Sequence, residues 1–585
     1  MYTLGINAAF HDSSACLVKD GKVIAAAEDE RFTRIKHGKR PIPFSTYELP
    51  FHAIDYCLKE AGIHLNDVDH IAYSFDPYPL LKTHAQNEVI TLPLEPSAKR
   101  HAELGVEEWE AVWDPLFLSA IVNARRHLAG GWPHHLQKRF IGARFDGPYQ
   151  WHYVPHHLAH AASAFHASPF EEAAVLTLDG RGERATTTYG HGRGTQIELL
   201  GQVDMPHSLG MLYEEITTHL GFLHSSDEYK VMALASYGKP EFLDVFRKMI
   251  RIREDGTYTI QRVNYEEAFG PKRLRGAELE AKHFNIAHSL QKVLEESVLE
   301  IARILHAKTM SNNLCMAGGV ALNCVMNARV RDEGPYKNIW VQPAAGDAGT
   351  SLGAALWVDA KSGENREKRL WSMNHAFWGP SFDENEIEEF LLWSKVPYRR
   401  MRDVARETSE LLARDKIIGW FQGRMEFGPR ALGARSILAS PISPDMQARL
   451  NDIKEREDFR PVAPVVLEEE ADEWFKNAGV SPFMLFVHEV RPEKAAQIPA
   501  VRHVDGTARV QTIRRDQNPV YYDLLKAFQA RTGVPVLVNT SFNTRSEPVV
   551  CTPRDAIECF WSSPLDALAI GPFLLEKGGF AQGLV

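Results

Sequence analysis

A strand, a polar Gly- or Ser-containing loop and a hairpin follow one another twice in the amino-terminal half of this chain. That repeat constrains the fold more than any single motif. T-L-G-I-N-A-A-F reads as a strand entering the loop H-D-S-S. A-C-L-V-K and V-I-A-A-A-E then pair across Asp20-Gly21, a strong two-residue turn signal. The order returns at A-A-V-L-T-L-D, the loop G-R-G-E, and A-T-T-T-Y-G and Q-I-E-L-L-G-Q across a Gly-rich turn. With 585 residues the chain is long enough for two or more cores. The polar stretch Asp359 to Lys368 reads as a linker and divides 1–360 from 361–585.

Repeats of this kind open the two halves of the actin and sugar-kinase ATPase fold, and the rest of that apparatus follows in order. His283 to Lys308 is a long amphipathic helix pattern. N-L-C-M-A is a short buried strand before Gly318 and Gly319, and I-W-V-Q-P leads into A-A-G-D-A-G-T-S-L-G-A-A. Glycines at strand ends let backbone approach a ligand, and a helix starting there offers amides to an anion. In V-P-H-H-L-A-H, His156 and His160 stand four residues apart and share a face if the segment is helical. Asp179 ends the apolar run Ala173–Leu178, and Asp347 sits in the last Gly-rich turn. Two imidazoles and carboxylates make a mixed nitrogen/oxygen metal site suited to iron, manganese or zinc.

The net charge of -10 leaves no basic footprint for nucleic acid. No apolar run is long enough to span a membrane, and the opening M-Y-T-L-G-I-N reads as a strand rather than as a basic segment before an apolar one. The six Cys are scattered without a C-x-x-C and read as reduced, buried thiols of a cytoplasmic protein. Beyond the linker Arg424, Arg430 and Arg435 lie among glycines. K-E-R-E-D-F-R-P-V-A-P carries Lys454, Arg456 and Arg460, H-V-D-G-T-A-R-V-Q carries Arg509, and N-T-S-F-N follows the strand V-P-V-L-V as a Ser/Asn loop. Lys and Arg beside Gly suit a small phosphorylated or carboxylated anion.

Taken together, G-I-N-A-A-F-H-D-S-S-A, E-D-E-R-F-T-R-I-K-H, H-H-L-A-H-A-A-S-A, E-Y-K-V-M-A-L-A-S-Y-G, G-R-M-E-F-G-P-R-A-L-G, D-F-R-P-V-A-P and N-T-S-F-N resemble the O-carbamoyltransferases of the nodulation-protein, cephamycin and tobramycin type, nearly end to end. The resemblance implies an actin-like, duplicated ribonuclease-H-like domain followed by an α/β domain similar to threonylcarbamoyl-adenylate synthase. The former resembles a tRNA threonylcarbamoyl-transfer protein whose H-x-x-x-H binds iron. The latter's K-x-R and S-x-N motifs match Lys454-x-Arg456 and Ser541-x-Asn543.

The implied chemistry begins with carbamoyl phosphate and ATP, with Mg²⁺, giving carbamoyl adenylate in the second domain. Lys454, Arg456, Arg460, Arg509, Asn539, Ser541, Asn543 and Arg430 are the carbamoyl-phosphate positions. Gly180, Gly318, Gly319 and Asn323 would hold the nucleotide in the first domain. His156, His160, Asp179 and Asp347 would hold a divalent metal, Fe²⁺ by the resemblance, with Mn²⁺ or Zn²⁺ as alternatives. The acceptor hydroxyl needs a base: His11 is the candidate, Asp12 the first substitute, and Lys36 and Arg34 would steady phosphates. The acceptor is read as a hydroxylated natural product, with Trp109, Trp113, Leu116 and Phe117 as a pocket for an apolar one. A homodimer is a further expectation. The competing readings are a sugar-kinase-like phosphotransferase, a tRNA-modifying or hydrogenase-maturation carbamoyl-transfer enzyme, and a non-catalytic ATP-binding regulator.

Overall fold

The computed structural model describes residues 1–38, 49–80, 115–130, 148–363, 368–544 and 547–577. Two compact units emerge: Met1–Val231 with Gly238–Met373, and Met232–Tyr237 with Asn374–Val585.

In the first unit β1 (Tyr2–Asn7), β2 (Ser14–Lys19) and β3 (Lys22–Glu28) form an antiparallel meander. β4 (His70–Tyr73) and β5 (Gln150–Tyr153) extend it in parallel, giving the order β3-β2-β1-β4-β5. The turn between β2 and β3 is the expected one, with left-handed Asp20 (φ 50) and Gly21 (φ 81). β6 (Glu172–Leu178), β7 (Ala185–Arg193) and β8 (Gln196–Asp204) repeat the meander. After a small hairpin, β9 (Ile250–Ile252) and β10 (Tyr258–Ile260), the parallel strands β11 (Asn313–Ala317) and β12 (Asn338–Val341) complete the order β8-β7-β6-β11-β12. Strand for strand the sheets match. This is the duplicated ribonuclease-H-like arrangement of the actin-like fold.

The long helix runs Ala281–Thr309 and buries Ile286, Leu290, Val293, Leu294, Val298 and Ile301, a spacing of three and four that lays one stripe on the core. Another helix, Ala348–Ser362, extends into the stretch read as a linker. It packs against β1 and against the helix His156–Phe165 with almost no side chain between. A Cβ on Gly5 would stand 1.9 Å from the Ser351 carbonyl oxygen, and one on Gly353 would stand 1.8 Å from that of Ala159. Beyond its end, the Arg369 guanidinium donates to the carbonyls of Phe165, Ser168 and Phe170, closing the C-terminus of the helix His156–Phe165.

The second unit is a mixed eight-stranded sheet in the order β13-β22-β21-β14-β15-β20-β16-β19. Its strands are β13 (Arg399–Arg400), β14 (Ile418–Phe421), β15 (Arg435–Ala439), β16 (Ala463–Leu467), β19 (Gln511–Ile513), β20 (Val536–Ser541), β21 (Ala567–Ile570) and β22 (Phe573–Glu576). β17 (Val487–Glu489) and β18 (Thr507–Arg509) form a separate pair. Trp420, Leu525, Phe528, Leu537 and Phe560 are among its core residues. One expectation is corrected here. Strand β20 continues through Ser541, so Asn539 and Ser541 lie on the strand, not in a loop after it.

Replacing Gly353 by Ala forces a methyl group into the Ala159 carbonyl. Overpacking of this kind costs roughly 1–3 kcal/mol. The variant is expected to melt at lower temperature and to retain less metal in elemental analysis, because one of the displaced helices carries His156 and His160. An unchanged melting temperature would show that the two helices part without cost.

Candidate active site

His156, His160, Asp179 and Asp347 arrive from three places in the first unit, all at the carboxyl-terminal edges of the parallel strands, where α/β sheets bind ligands. The two histidines lie on the helix after β5, Asp179 directly follows β6, and Asp347 precedes the helix after β12. His156 Nε2 is 3.5 Å from both Asp179 Oδ2 and Asp347 Oδ1, and His160 Nε2 is 3.7 and 3.6 Å from the same atoms. These gaps are long for charge-assisted hydrogen bonds. They suit donors around one ion: at roughly 2.1 Å from a tetrahedral ion, neighbouring donors are about 3.4 Å apart.

Both imidazoles are fully buried, and among the described residues neither Nε2 has a hydrogen-bond partner. His156 Nδ1 faces the Ser74 carbonyl at 3.3 Å and donates a hydrogen there, which leaves Nε2 as the nitrogen that can meet an ion once its proton is displaced. Asp179 is oriented by the Gly319 amide, which donates to Oδ1 at 2.7 Å and leaves Oδ2 toward the histidines. The donor set therefore fits a divalent cation. Burial pushes the His156 imidazole down, but Asp347 and Asp179 outweigh it and hold the ring well above its ordinary value. Burial likewise raises Asp179, and His156 and His160 pull it well below the usual range.

The neighbouring histidine of the same run does something else. His157 Nδ1 bonds Thr177 Oγ1 at 2.7 Å, and burial pushes its imidazole down to about 3. Glu183, not foreseen from sequence, anchors the start of the histidine helix. Its carboxylate accepts from the amides of His156 (2.9 Å) and Asp76 (2.8 Å), where a negative charge is favoured.

His11 stands next to this cluster, its Nε2 3.9 Å from Asp347 Oδ2. Asp12 lies between two imidazoles, with Oδ2 at 2.9 Å from His11 Nδ1 and Oδ1 at 2.9 Å from His37 Nδ1. Burial alone would raise the Asp12 carboxyl; His37 and then His11 outweigh it and hold it well below the usual range. Asp12, Glu30 and His37 also lie within metal-sharing distance of one another. Here the carboxylates are already engaged, Asp12 by the two histidines and Glu30 by Arg31 and by the His37 amide. Lys36 lies in the short turn Lys36–Gly38 that carries His37.

Of the expected nucleotide positions, Gly318 (φ 95) lies so close to β6 that a Cβ would stand 2.1 Å from the Leu178 carbonyl oxygen. Its closest approach is to protein backbone, and the next amide, Gly319, serves Asp179. The Asn323 amide caps the helix Cys324–Glu333 and exchanges hydrogen bonds with Gln291. Glu214 was missed by sequence reasoning. Its carboxylate reaches 3.4 Å from where a Cβ on Gly180 would be, and burial raises it. It also lines a cavity of about 550 Å³ with Met211, Thr218, His219, Tyr265 and Lys272. Trp109 and Trp113, expected to line an acceptor pocket, lie outside the described residues, as does the Leu116 side chain. Phe117 is core: it stacks on Phe10 at 5.6 Å, and Phe10 meets the His156 ring edge-on at 5.3 Å.

In the second unit the Lys454 ammonium is nearly buried. It donates to the Ser541 carbonyl (2.6 Å), Ser541 Oγ (3.1 Å) and Asn543 Oδ1 (2.7 Å). Asn539, two residues back on the same face of β20, donates to Gln511 Oε1 (2.7 Å) and the Ala431 carbonyl (3.1 Å), beside Arg430. Asn451 organises the preceding loop, accepting from Arg456 Nε at 2.6 Å and donating to the Arg460 carbonyl at 3.1 Å. Arg509 on β18 lies near His503, whose imidazole burial pushes down to about 4 against Asp505, with Arg509 adding to the fall.

The arginines among glycines divide. Arg435 is fully buried, stacked 3.6 Å over Phe421, and donates to the carbonyls of Gln422, Gly423 and Pro380. Arg424 donates to the Trp378 carbonyl. Both guanidiniums are engaged by backbone carbonyls and an aromatic ring. Glu426 and Gln511, absent from the sequence reading, shape the same loop through the Leu432 amide and carbonyl.

Paired half-sheets with a histidine–carboxylate cluster at their carboxyl edges define the class: an actin-like enzyme domain joined to an α/β unit. The chain belongs to the carbamoyltransferase family, whose N-terminal model matches residues 2–356 and whose C-terminal model matches 409–577. It is 39% identical to the nodulation protein NolNO of Sinorhizobium fredii over 98% of this chain and 80% of that one. It is 40% identical to an uncharacterized protein of Synechocystis sp. over 98% and 97% of the two chains. A solved HypF, in phosphate- and nucleotide-bound form, aligns over 63% of this chain and 56% of that one at 12% identity; its TM-score of 0.34 adds nothing to the topology above. The protein is thus a carbamoyltransferase. Among the described residues no helix is long and apolar enough to cross a membrane, and all six cysteines are buried and unbridged.

Metal uptake should carry a pH signature. Without a cation to balance them, Asp347 and Asp179 keep a proton on His156, and a divalent ion must displace it. Below the raised His156 value the proton competes; above it the competition ends. Apparent affinity therefore rises with pH through that value, and binding at pH 7 releases protons. Calorimetric titration of metal in two buffers of different ionisation enthalpy reads the release. Identical heats in both would remove His156 from the ligand set.

Proposed function

We propose that the protein is an O-carbamoyltransferase that makes carbamoyl adenylate from carbamoyl phosphate and ATP. It then passes the carbamoyl group to a hydroxyl of a small natural product, an antibiotic, macrolide or polyketide, or sugar. One observation carries this reading. A single carbamoyltransferase chain holds both the buried His156–His160–Asp179–Asp347 cluster and the Lys454–Ser541–Asn543 cluster.

The second unit performs activation. Carbamoyl phosphate is hydrolysed to carbamate and phosphate. A carbamate oxygen attacks the α-phosphorus of ATP, the bond to the β-phosphate bridging oxygen breaks, and pyrophosphate leaves. Arg430, Arg456, Arg460 and Arg509 supply charge for the phosphates. Lys454, Asn539, Ser541 and Asn543 orient the small acyl group. The step replaces a poor leaving group by AMP.

In the first unit the adenosine occupies the cavity beside Glu214, whose carboxylate suits ribose hydroxyls, and Lys36 reaches the phosphate near Gly180, Gly318 and Gly319. His156, His160, Asp179 and Asp347 would hold a divalent cation, Fe²⁺ in the favoured reading, which would supply Lewis-acid polarisation of a carbamoyl or phosphoryl oxygen. His11 takes the acceptor proton as the hydroxyl oxygen bonds to the carbamoyl carbon, and AMP departs with the electron pair of the broken bond.

Incubation with carbamoyl phosphate and ATP is expected to give pyrophosphate, and to give AMP and carbamoylated product when an accepted alcohol is present. ADP in place of pyrophosphate would sink the reading in favour of a phosphotransferase.

The half-reactions should also separate by mutation. Ser541→Ala or Arg460→Ala should block pyrophosphate formation yet still transfer from supplied carbamoyl adenylate. His11→Asn should lower that transfer by about 10²–10⁴-fold, the range for a positioned general base. Equal loss in both assays for every variant would argue against a divided site.

A further inference from the structure

The contacts of Asp12 extend beyond the candidate base. A carboxylate only accepts hydrogen bonds, so His11 and His37 both donate to it from Nδ1. For His11 this fixes the tautomer with the lone pair on Nε2, the nitrogen on the Asp347 side. For His37 it leaves Nε2 to accept from Ser226 Oγ at 3.3 Å. His37 grips Asp12 a second time, its backbone carbonyl accepting from the Asp12 amide at 3.0 Å. The His37 amide in turn donates to Glu30 Oε2 at 2.6 Å.

The backbone around this chain of contacts is unusual. Phe10 (φ 57), Asp12 (φ 50), Arg34 (φ 59), His37 (φ 61) and Ser225 (φ 51) are all left-handed, and none is glycine. Side chains disfavour that region, and residues held there gather where surrounding structure over-determines a functional geometry. Two loops far apart in sequence are thus bent to bring one imidazole to each oxygen of one carboxylate.

We propose that His37 is a positioning residue for carbamoyl transfer: it holds Asp12, and Asp12 holds His11 with its basic nitrogen toward the metal-side carboxylate. This rests on the reading of His11 as the base. The relation of His37 to the site is that of an outer partner that orients an inner group. Loss of such partners generally costs about 10–100-fold in activity.

The test uses the full-length, metal-loaded protein and supplied carbamoyl adenylate with an accepted alcohol. His37→Ala should lower the transfer kcat about 10–100-fold with KM for the adenylate and metal content unchanged. His37→Asn, whose side-chain amide places an N–H near the position of Nδ1–H, should recover most of the rate, which a merely space-filling role would not produce. Wild-type kcat in His37→Ala overturns the proposal, and so does a failure of His37→Asn to exceed His37→Ala. His11→Asn separates the two layers. If it loses transfer while His37→Ala transfers at the wild-type rate, the base reading stands and the positioning role falls. If it transfers at the wild-type rate, both fall.

Discussion

At Gly353 the helix Ala348–Ser362 crosses the helix His156–Phe165 with backbone against backbone. The cluster of buried donors depends on that crossing. Asp347 immediately precedes one helix and both histidines lie on the other. The interaxial distance therefore sets the 3.5–3.6 Å gaps between Asp347 Oδ1 and the two Nε2 atoms. A side chain wedged at the crossing would open those gaps, and donors that no longer converge lose most of their value to an ion. Gly5 plays the same part where the helix meets β1. Around this contact the supports are local: Glu183 at the start of the histidine helix, Arg369 at its end, and Phe10 against the His156 ring.

The second unit is organised differently. Its candidate site is tied together by hydrogen bonds between polar side chains and backbone oxygens, with Lys454 and Asn539 as the hubs. Partners of this kind pre-order a cationic side chain without neutralising it, so its charge still reaches an incoming anion. The buried Glu426, whose Oε1 accepts from the amides of Leu432 and Ala434, holds the loop in which Arg430 sits.

How much of this was legible in the sequence follows from the range of the interactions. The β2–β3 turn, the repeat of strand, loop and hairpin, the long helix and the H-x-x-x-H spacing are encoded within a few residues, and the sequence displays them. The four clustered positions were legible because each lies on or beside a recognisable strand or helix. The spacing that pairs His156 with His160 says nothing of His157, whose bond to Thr177 depends on β6 lying beside the helix. Glu183, Glu214, His37, Asn451, Gln511 and Glu426 escaped because their roles rest on partners distant in sequence or on backbone geometry. The arginines are a different case. Arg424, Arg430 and Arg435 look alike in a Gly-rich string, and burial under Phe421 or against Trp378 decides which become scaffold.

The matched sheets give the first unit two loops in equivalent places, one after β1 and one after β6. They have not kept equivalent contents. The loop after β1 holds His11 and Asp12, and the loop after β6 begins with Asp179. The matched positions therefore carry different side chains, a histidine–aspartate pair after one strand and a lone aspartate after the other. The four clustered donors draw on both sheets, the histidines after β5 and the aspartates after β6 and β12, so neither half alone contains them all.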